Sequence, residues 1–284
     1  MKLFLTLAAV AASIVSAEYA QCGTPSPSKE HRAILNAAAR AASDARKAIF
    51  SNQTLRVVDT YVHVVTTSNK TGQYSQDLVN AQIRVLNEKY VPLNAQFNLA
   101  ATTFTANTSW ATAAMGSREE YEMKAALRQG SYGTLNLYFV SDLPGGYLGF
   151  CDMAVSDPNA DGVVLSGCMI LADTMPGGGY PYYNMGYVAV HEVGHWFGLM
   201  HVFEGDRDHP CSGPGDEIDD TPIQLRPTVG GCSATTLQDS CPNQPGYDST
   251  DNFMSYNIDE CMSRFTPDQI KRATSLFDSF RAGK

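Results

Sequence analysis

The sequence has few basic residues. It contains 20 lysines and arginines against 29 aspartates and glutamates, which gives a net charge of −9. Removing Lys2 with a leader peptide lowers the basic count from 20 to 19 and the charge to −10. A chain this acidic is not expected to bind nucleic acid or an anionic membrane, because both attract clustered positive charge. The acidity indicates solubility outside the cell and selects no substrate class.

Long apolar runs are absent after residue 17. The first seventeen residues combine a charged start at Lys2, an apolar run over residues 3–15 and the small residues Ser16 and Ala17. This pattern predicts a signal peptide over residues 1–17 that is cleaved after Ala17. No later stretch stays apolar and uncharged over the length that a membrane span requires. We therefore expect a secreted, extracellular, monomeric protein without a membrane partner.

Seven cysteines in an exported chain indicate disulfides, with one cysteine left over. Cys22 stands alone near the predicted mature N-terminus, and the spacing of the other six does not fix their pairing. These six are Cys151, Cys168, Cys211, Cys232, Cys241 and Cys261. Three glycosylation sequons also fit export, and their acceptors are Asn52, Asn69 and Asn107.

The order of predicted elements favours an α+β fold. Residues 18–55 begin with a turn-rich stretch and continue as an Ala-rich segment, which predicts a helical N-terminal arm or pro-segment. β-Branched and aromatic residues over 56–66 predict a strand buried on both faces. The length of 284 residues fits one large or two small domains, and the order of elements favours a mixed sheet carrying helices. The remaining predictions are helices at 75–90, 117–128 and 187–200, strands at 97–104, 135–140 and 163–171, and a glycine-rich stretch at 144–179 of the kind that borders active sites.

His191 and His195 stand four positions apart in a predicted helix. This spacing puts both imidazoles on one helix face about one turn apart, where two ring nitrogens can bind one Zn²⁺ at about 2.0–2.1 Å. Glu192 lies beside them. We expect it to take a proton from a zinc-activated water and to return that proton to the leaving amine.

Gly198 follows three residues after His195 and permits the left-handed conformation that ends a helix. The chain then brings in His201 as a third ligand. Three neutral histidines leave the complex doubly positive, which suits polarising a peptide carbonyl. A single histidine is more often a packed or solvated side chain. The fixed positions together indicate one catalytic Zn²⁺, and the alternative is a decayed enzyme that binds metal without turnover.

The stretch 191–201, His-Glu-x-x-His-x-x-Gly-x-x-His, resembles the extended zinc motif of the metzincins at every fixed position. Asn-Phe-Met-Ser-Tyr at 252–256 resembles the methionine turn of that family, with Met254 beneath the zinc ligands. The surrounding residues resemble the pappalysin branch, especially its secreted fungal-type extracellular metalloproteases. They are Trp-Phe-Gly-Leu at 196–199, Asp-Asp-Thr-Pro at 219–222, Cys261 and Phe-Thr at 265–266.

This resemblance implies a metzincin-like catalytic domain over residues 56–284. Its upper subdomain would carry a twisted, mostly parallel sheet with two helices, and its lower subdomain would be loop-rich and cross-linked by disulfides. A polypeptide substrate would lie extended in the cleft between them, against an edge strand for which 163–171 is our candidate. Tyr256 would either stabilise the oxyanion of the reaction or only pack. The resemblance suggests a Cys232–Cys261 disulfide, and Cys211–Cys241 and Cys151–Cys168 would then use the remaining cysteines.

Gln-Cys-Gly-Thr at 21–24 resembles pro-segments in which a cysteine holds the enzyme latent. The thiolate of Cys22 would occupy the open coordination position of the zinc ion. The alternatives are a disulfide to another cysteine or an unpaired thiol.

Four carboxylates crowd the loop past the third histidine: Asp216, Glu217, Asp219 and Asp220. A Ca²⁺ ion would relieve their mutual repulsion, and some pappalysin relatives bind calcium near this position. The alternative is a solvated acidic loop, because no fixed calcium-loop pattern is present.

The sequence thus predicts a secreted zinc metalloendopeptidase with Glu192 as general base and acid. A secreted zinc-binding module without catalysis is one alternative, although such a module would not need Glu192. A zinc-dependent hydrolase of small amides or esters is another, and it would require a closed pocket rather than a long cleft.

Overall fold

The computed structural model describes residues 22–48, 55–205, 211–229, 231–232 and 237–284. The predicted signal peptide, its cleavage site after Ala17 and the sequon at Asn52 lie outside these residues. None of the helices described is both long enough and apolar enough to span a bilayer.

One mixed sheet of five strands forms the centre of the domain, in the order β2-β1-β3-β5-β4. The pairs β1–β2, β1–β3 and β3–β5 are parallel, and β4 alone runs antiparallel to its neighbour β5. The prediction of a mixed, mostly parallel sheet is confirmed. The strands are β1 Arg56–Thr66, β2 Ala95–Ala106, β3 Leu135–Val140, β4 Gly149–Cys151 and β5 Cys168–Leu171.

The predicted edge strand at 163–171 is wrong in two respects. Its first part is a short helix, Ala160–Leu165, which begins where the Asn159 side chain accepts a hydrogen bond from the Gly162 amide at 2.8 Å. Its second part is β5, which lies inside the sheet because β4 pairs with its outer side. The edge that borders the cleft is therefore the three-residue β4, and the Cys151–Cys168 disulfide ties it to β5.

Seven helices surround this sheet in the described residues. Those predicted at 75–90 and 117–128 are present within a residue of their expected limits, whereas the helix predicted at 187–200 ends earlier. They are α1 Lys29–Ala48, α2 Gln76–Lys89, α3 Thr108–Ala111, α4 Arg118–Leu127, α5 Ala160–Leu165, α6 Tyr187–Trp196 and α7 Pro267–Phe280.

The sheet is covered on both faces, as the alternation of strand side chains requires. On β1, Val64 joins a core with α2 and α6, and Val65 joins a second core with the α3–α4 region. Burial on both faces holds only for the C-terminal half of β1. Val57 is 56% exposed near its start, so the prediction of a strand buried throughout is wrong there.

The C-terminal part contains a helix that the sequence analysis missed. α7 begins at a capping box in which the Thr266 hydroxyl accepts from the Gln269 amide and the Gln269 side chain accepts from the Thr266 amide. Arg281, directly after the helix, is buried between Trp196 and Tyr132 and donates a hydrogen bond to the Trp196 carbonyl at 2.9 Å. α7 thereby supports the end of α6.

Three disulfides have the predicted pairing. Cys211–Cys241 and Cys232–Cys261 lie in the loop-rich C-terminal part, and Cys151–Cys168 joins the sheet edge. Cys22 is buried and carries no disulfide.

The N-terminal arm, residues 22–48, is docked at two places. Residues near Cys22 pair with β4, where the Gly23 amide donates to the Gly149 carbonyl at 2.8 Å. α1 then packs against α7, and its Leu35 is fully buried with Leu276 and Phe280. The predicted helical character of the arm is confirmed.

Candidate metal centre

α6 is buried along its whole length and positions two of the predicted ligands. The helix ends at Phe197, and Gly198 adopts a left-handed conformation with φ of +90°. A Cβ atom on Gly198 would lie 2.5 Å from Leu276 Cδ1, so the turn needs glycine for space as well as for conformation. The chain reverses there and brings His201 back to the helix. The predicted role of Gly198 in ending the helix is confirmed.

The structure brings the Nε2 atoms of His191, His195 and His201 together. The His195 nitrogen lies 3.1 Å from that of His191 and 3.2 Å from that of His201. Four ligands in a tetrahedron at about 2.0–2.1 Å from a zinc ion would place such nitrogens about 3.3 Å apart. The geometry of the three histidines therefore fits a single tetrahedral metal ion.

The other ring nitrogen of each histidine is held by the protein. The Nδ1 atoms of His191 and His195 lie 2.7 and 2.8 Å from the carbonyls of Phe253 and Leu199. These carbonyls only accept, so Nδ1 carries the hydrogen and Nε2 keeps the lone pair that a metal needs. Burial lowers the pKa of His191 to about 3 and that of His195 well below its usual value, which favours the neutral, metal-binding form.

Met254 is fully buried and its sulfur lies against Gly194 of α6. A Cβ atom on Gly194 would lie 2.4 Å from the Met254 sulfur, so the glycine inside the zinc motif lets the methionine turn approach α6. The Met254 carbonyl also accepts a hydrogen bond from the Val202 amide at 3.2 Å, next to His201. The turn thus contacts both segments that carry the histidines, and its role as an apolar floor beneath a zinc ion stays a prediction.

Glu192 is fully buried, and the Cys22 sulfur that lies beside His195 also contacts its carboxylate. Its Oε2 accepts hydrogen bonds from the Thr24 hydroxyl at 3.2 Å and from the Cys22 thiol at 3.5 Å. Its Oε1 has no hydrogen-bond partner among the described residues. Burial raises the pKa of Glu192 to about 8. A carboxylate in this environment is suited to exchanging a proton near neutral pH.

Gly149, at the start of β4, lies directly against the Glu192 side chain. A Cβ atom on Gly149 would lie 2.8 Å from Glu192 Cγ and 2.9 Å from its Oε1. Only glycine leaves room for the carboxylate at the sheet edge. The glycine-rich stretch at 144–179 thus borders the site, as predicted.

The Tyr256 hydroxyl also lies beside the cluster, 3.2 Å from His201 Nε2. It donates a hydrogen bond to the Cys22 carbonyl at 3.2 Å. Burial, together with the nearby Cys22 and Glu192, raises the pKa of Tyr256 far above its usual value, so the hydroxyl stays protonated. In this structure Tyr256 is thus a hydrogen-bond donor to a peptide carbonyl beside the histidines.

The Cys22 sulfur completes the cluster. It lies 3.5 Å from His195 Nε2, and it forms with the three histidines a group whose ligand atoms all lie within 4.8 Å of one another. With Zn–S near 2.3 Å and Zn–N near 2.05 Å, tetrahedral geometry gives an S···N distance of about 3.5 Å. The sulfur is therefore near enough to share a metal ion with His195. Burial and the nearby Glu192 raise the pKa of its thiol in the absence of a cation.

The predicted calcium carboxylates do not converge. Asp220 caps α7, accepting hydrogen bonds from the Thr266 hydroxyl and the Asp268 amide at 2.6 and 2.9 Å. Asp219 is exposed and Asp216 is buried against Thr221. In the part of the chain that is described, the cluster of Cys22 and the histidines is the single group with metal-binding geometry. Calcium at this loop stays a prediction.

The two described sequons differ in accessibility. Asn69 is exposed in a short 3₁₀ helix after β1. Asn107 is half-buried, and its side chain accepts a hydrogen bond from the Trp110 amide at 3.2 Å at the start of α3. Glycosylation stays a prediction for both.

Asp216 predicts a pH-dependent stability. Its Oδ2 is buried without a partner among the described residues, and burial raises its pKa to about 7. Because the unfolded carboxyl ionises near pH 4, the folded state loses stability as pH rises from there to about 7. Asp216→Asn should therefore stabilise the protein by about 2 kcal/mol more at pH 8 than at pH 5.5 in calcium-free urea unfolding. An equal effect of the substitution at both pH values would contradict this prediction. If added Ca²⁺ stabilises the wild-type protein but not the variant, that result would instead support calcium binding at Asp216.

Three residues of the site were missed by the sequence analysis. Thr24 contacts Glu192 through an arm whose position no local pattern indicates. Glu204 lies 3.4 Å from His201 Nδ1, and its spacing of three from the ligand was a signal that could have been used. The contact of Gly149 with Glu192 could be identified only once the order of the strands in the sheet was known.

Comparisons with known proteins agree with this geometry. The peptidase M43 family model, described as pregnancy-associated plasma protein-A, matches residues 141–278. An extracellular metalloprotease of Pyricularia oryzae is 44% identical over 284 residues, covering 99% of this chain and 96% of the relative. One of Colletotrichum graminicola is 40% identical over 292 residues, covering 99% of this chain and all of the relative. The chain belongs to the M43, or pappalysin, family.

Its fold is similar to that of mature mirolysin of Tannerella forsythia, solved with a cleaved peptide. The TM-score is 0.65 at 24% identity, covering 81% of this chain and 96% of mirolysin. The predicted metzincin-like fold is confirmed. The chain is an extracellular metalloprotease of the M43 family, and the buried histidine cluster is where such a protein would bind its metal.

Proposed function

We propose that this metalloprotease is a zinc-dependent endopeptidase whose metal ligands are His191, His195 and His201. The observation that carries the proposal is the set of three buried Nε2 lone pairs at tetrahedral spacing, each with its ring oriented by a protein acceptor. Nitrogen donors in tetrahedral geometry with one position left for substrate are typical of catalytic zinc.

Zinc bound there would supply Lewis acidity, polarising a peptide carbonyl and acidifying a neighbouring water. Glu192 accepts the proton of the attacking water and later donates it to the leaving amine. Tyr256 donates a hydrogen bond to the oxyanion, and its existing bond to the Cys22 carbonyl supports that role. Met254 keeps the floor of the site apolar.

The substrate in this proposal is a polypeptide bound in extended form. The side of β4 that faces away from β5 pairs with the N-terminal arm, where the Gly149 carbonyl accepts a hydrogen bond from the Gly23 amide. A substrate strand can use the same edge once the arm has left. The cleaved peptide in the mirolysin structure, which shares the fold, agrees with a polypeptide substrate. In this proposal the enzyme is a monomer. An open cleft suits an extended polypeptide, whereas a hydrolase of small amides would need a closed pocket.

Residues 18–55 act, in this proposal, as a removable pro-segment between a signal peptide at 1–17 and the catalytic domain at 56–284. Cys22 holds the enzyme latent by giving its thiolate to the metal. The 3.5 Å distance from its sulfur to His195 Nε2, the pairing of Gly23 with β4 and the packing of Leu35 on α7 support this assignment.

Chelation provides a direct test of the proposed metal. Protein freed of its arm should hydrolyse casein, lose at least about 99% of that activity with 1,10-phenanthroline and regain it with one equivalent of Zn²⁺, because metal-assisted hydrolysis cannot proceed without the ion. Metal content measured by atomic absorption should follow activity. Hydrolysis that survives complete loss of metal would contradict the proposal. Stoichiometric zinc with no hydrolysis of any polypeptide would favour a zinc-binding module.

A further inference from the structure

Asn252 is a fully buried polar residue that the proposed reaction does not use. It stands at the start of the methionine turn, where the Ser255 amide donates a hydrogen bond to the Asn252 carbonyl at 3.0 Å. Its side-chain oxygen accepts from the Met254 amide at 2.9 Å, a local bond that asparagine often makes in turns. The other partner of this side chain is Gln269, which lies 17 residues away on α7.

Asn252 and Gln269 form a reciprocal pair of side-chain amides. Asn252 Nδ2 donates to Gln269 Oε1 at 2.8 Å, and Gln269 Nε2 donates to Asn252 Oδ1 at 3.1 Å. Each oxygen also accepts from the backbone, Gln269 Oε1 from the Thr266 amide at 2.8 Å and Asn252 Oδ1 from the Met254 amide. Backbone amides only donate, so neither side chain can turn over without placing two donors face to face. The pair therefore has one orientation, which is set from both ends.

The Asn252 side chain fixes one peptide unit, the one between Phe253 and Met254. The N–H of this unit points to Asn252 Oδ1, and its carbonyl accepts a hydrogen bond from His191 Nδ1 at 2.7 Å. Both groups belong to one rigid plane. A rotation that releases the N–H from Asn252 therefore also turns the carbonyl away from His191.

The Phe253 carbonyl determines which nitrogen of His191 carries the hydrogen. While this acceptor is in place, Nδ1 is the donor and Nε2 keeps the lone pair that a metal requires. The turn has a separate anchor, because the Phe253 amide donates to the Arg264 carbonyl at 3.0 Å. Without the Asn252 side chain the turn would thus stay in place, whereas the orientation of its second peptide would no longer be fixed.

We propose that Asn252 is a positioning residue for the metal site, acting on His191 through the Phe253–Met254 peptide, and that Gln269 acts through Asn252. This inference rests on the proposed function, because it takes His191 as a metal ligand. The capping box of α7, to which Gln269 belongs, thereby starts the helix and also sets the orientation of a group that contacts the histidine cluster.

The test measures the tautomer of His191 and the zinc affinity of the full chain. In metal-free protein labelled with ¹⁵N-histidine, long-range proton–nitrogen spectra should show a single Nδ1–H tautomer, assigned by its loss in His191→Gln. Asn252→Ala should give a mixture of both tautomers and bind Zn²⁺ about tenfold more weakly, as expected when a group that orients a ligand is lost.

Asn136→Ala is the matched control. Asn136 is equally buried, and its side-chain amide forms hydrogen bonds with the backbone of Gln129 at 2.9 Å. It lies on the sheet face opposite α6, because its neighbours Leu135 and Leu137 face the core that contains α6. This variant should lose stability but keep the single His191 tautomer and the wild-type zinc affinity.

Gln269→Glu tests the second step without removing the helix cap. A glutamate at this position still completes the capping box, but its carboxylate has no hydrogen to donate to Asn252 Oδ1. It should weaken zinc binding by at least about threefold. The double variant with Asn252→Ala should bind zinc no more weakly than Asn252→Ala alone, because both changes act through one path.

A single Nδ1–H tautomer in Asn252→Ala, or an equally large effect of Asn136→Ala, would overturn the inference. Additive losses in the double variant would overturn the role of Gln269. If Asn252→Ala does not fold, Gln269→Glu decides, and an unchanged tautomer and zinc affinity in that variant would count against the inference. Wild-type protein that binds no zinc would contradict the proposed function, and the tautomer of the metal-free chain would still decide the role of Asn252.

Discussion

Replacing Glu192 by glutamine should lower kcat/KM for peptide hydrolysis by about 10²–10⁴-fold, the range expected when a general base and acid is lost. Glutamine has nearly the same shape, and its oxygen can still accept from the Thr24 hydroxyl that contacts Glu192. It cannot take up a proton from water. The loss should fall on kcat and not on KM, because substrate pairing with β4 does not involve this side chain.

The measurement combines steady-state kinetics with zinc analysis. The three histidine nitrogens are held by Phe253, Leu199 and Glu204, none of which contacts Glu192 in the described structure, so the variant should retain one zinc per chain. Glu260→Gln, an exposed acid on a nearby 3₁₀ helix, serves as the matched control and should keep full activity. A variant that keeps zinc and cleaves at near wild-type rate would refute the role of Glu192.

Local patterns predicted the ligand helix well because its signals are short-range. The i, i+4 spacing of His191 and His195 and the left-handed Gly198 depend only on the helix itself. Even so, the predicted end of the helix was several residues too late. Gly198 already lies past the helix, and the apolar Leu199 and Met200 are buried by tertiary packing rather than by helical periodicity.

The sheet edge could not be predicted in the same way. Residues 163–171 appeared as one strand because the apolar runs at Val163 and Met169 are separated only by a short turn, and periodicity cannot distinguish a short buried strand from a buried helical turn. β4 has three residues and two are neither β-branched nor aromatic. Its place at the edge follows from pairing with β5, which is a long-range contact.

The contacts of the arm were also hidden from the sequence. The spacing between Cys22 and Glu192 is 170 residues, so nothing local relates the two. Thr24 reaches Glu192 because the chain beside it pairs with β4. α1 is held by α7, a helix that the sequence indicates through its capping box at Thr266 and Gln269. The family resemblance supplied the hypothesis of a switch, and the long-range contacts of Cys22 with Glu192 and His195 support it.

Replacing Cys22 by alanine should make the uncleaved chain active. If the sulfur ligates the metal, the substrate position is open only in the small fraction of molecules whose thiolate has dissociated. Removing the sulfur should therefore raise the activity of the full chain at least about 100-fold, corresponding to an open population of 1% or less before the change. Hydrolysis of a quenched peptide by uncleaved protein, checked by mass spectrometry, measures the effect.

Cobalt substitution tests the sulfur bond itself, independently of activity. The full chain with Co²⁺ should show a thiolate-to-metal charge-transfer band in the near ultraviolet, and the band should be absent in Cys22→Ala, because Cys22 is the only cysteine of the described residues outside a disulfide. The other contacts of the arm could keep the Cys22→Ala chain inactive even without the sulfur. Gly23 would still pair with Gly149 and Leu35 would still pack on α7. A variant that lacks the band yet stays inert until the arm is cut away would show that the arm blocks the cleft by occupancy, and that Cys22 is not the switch.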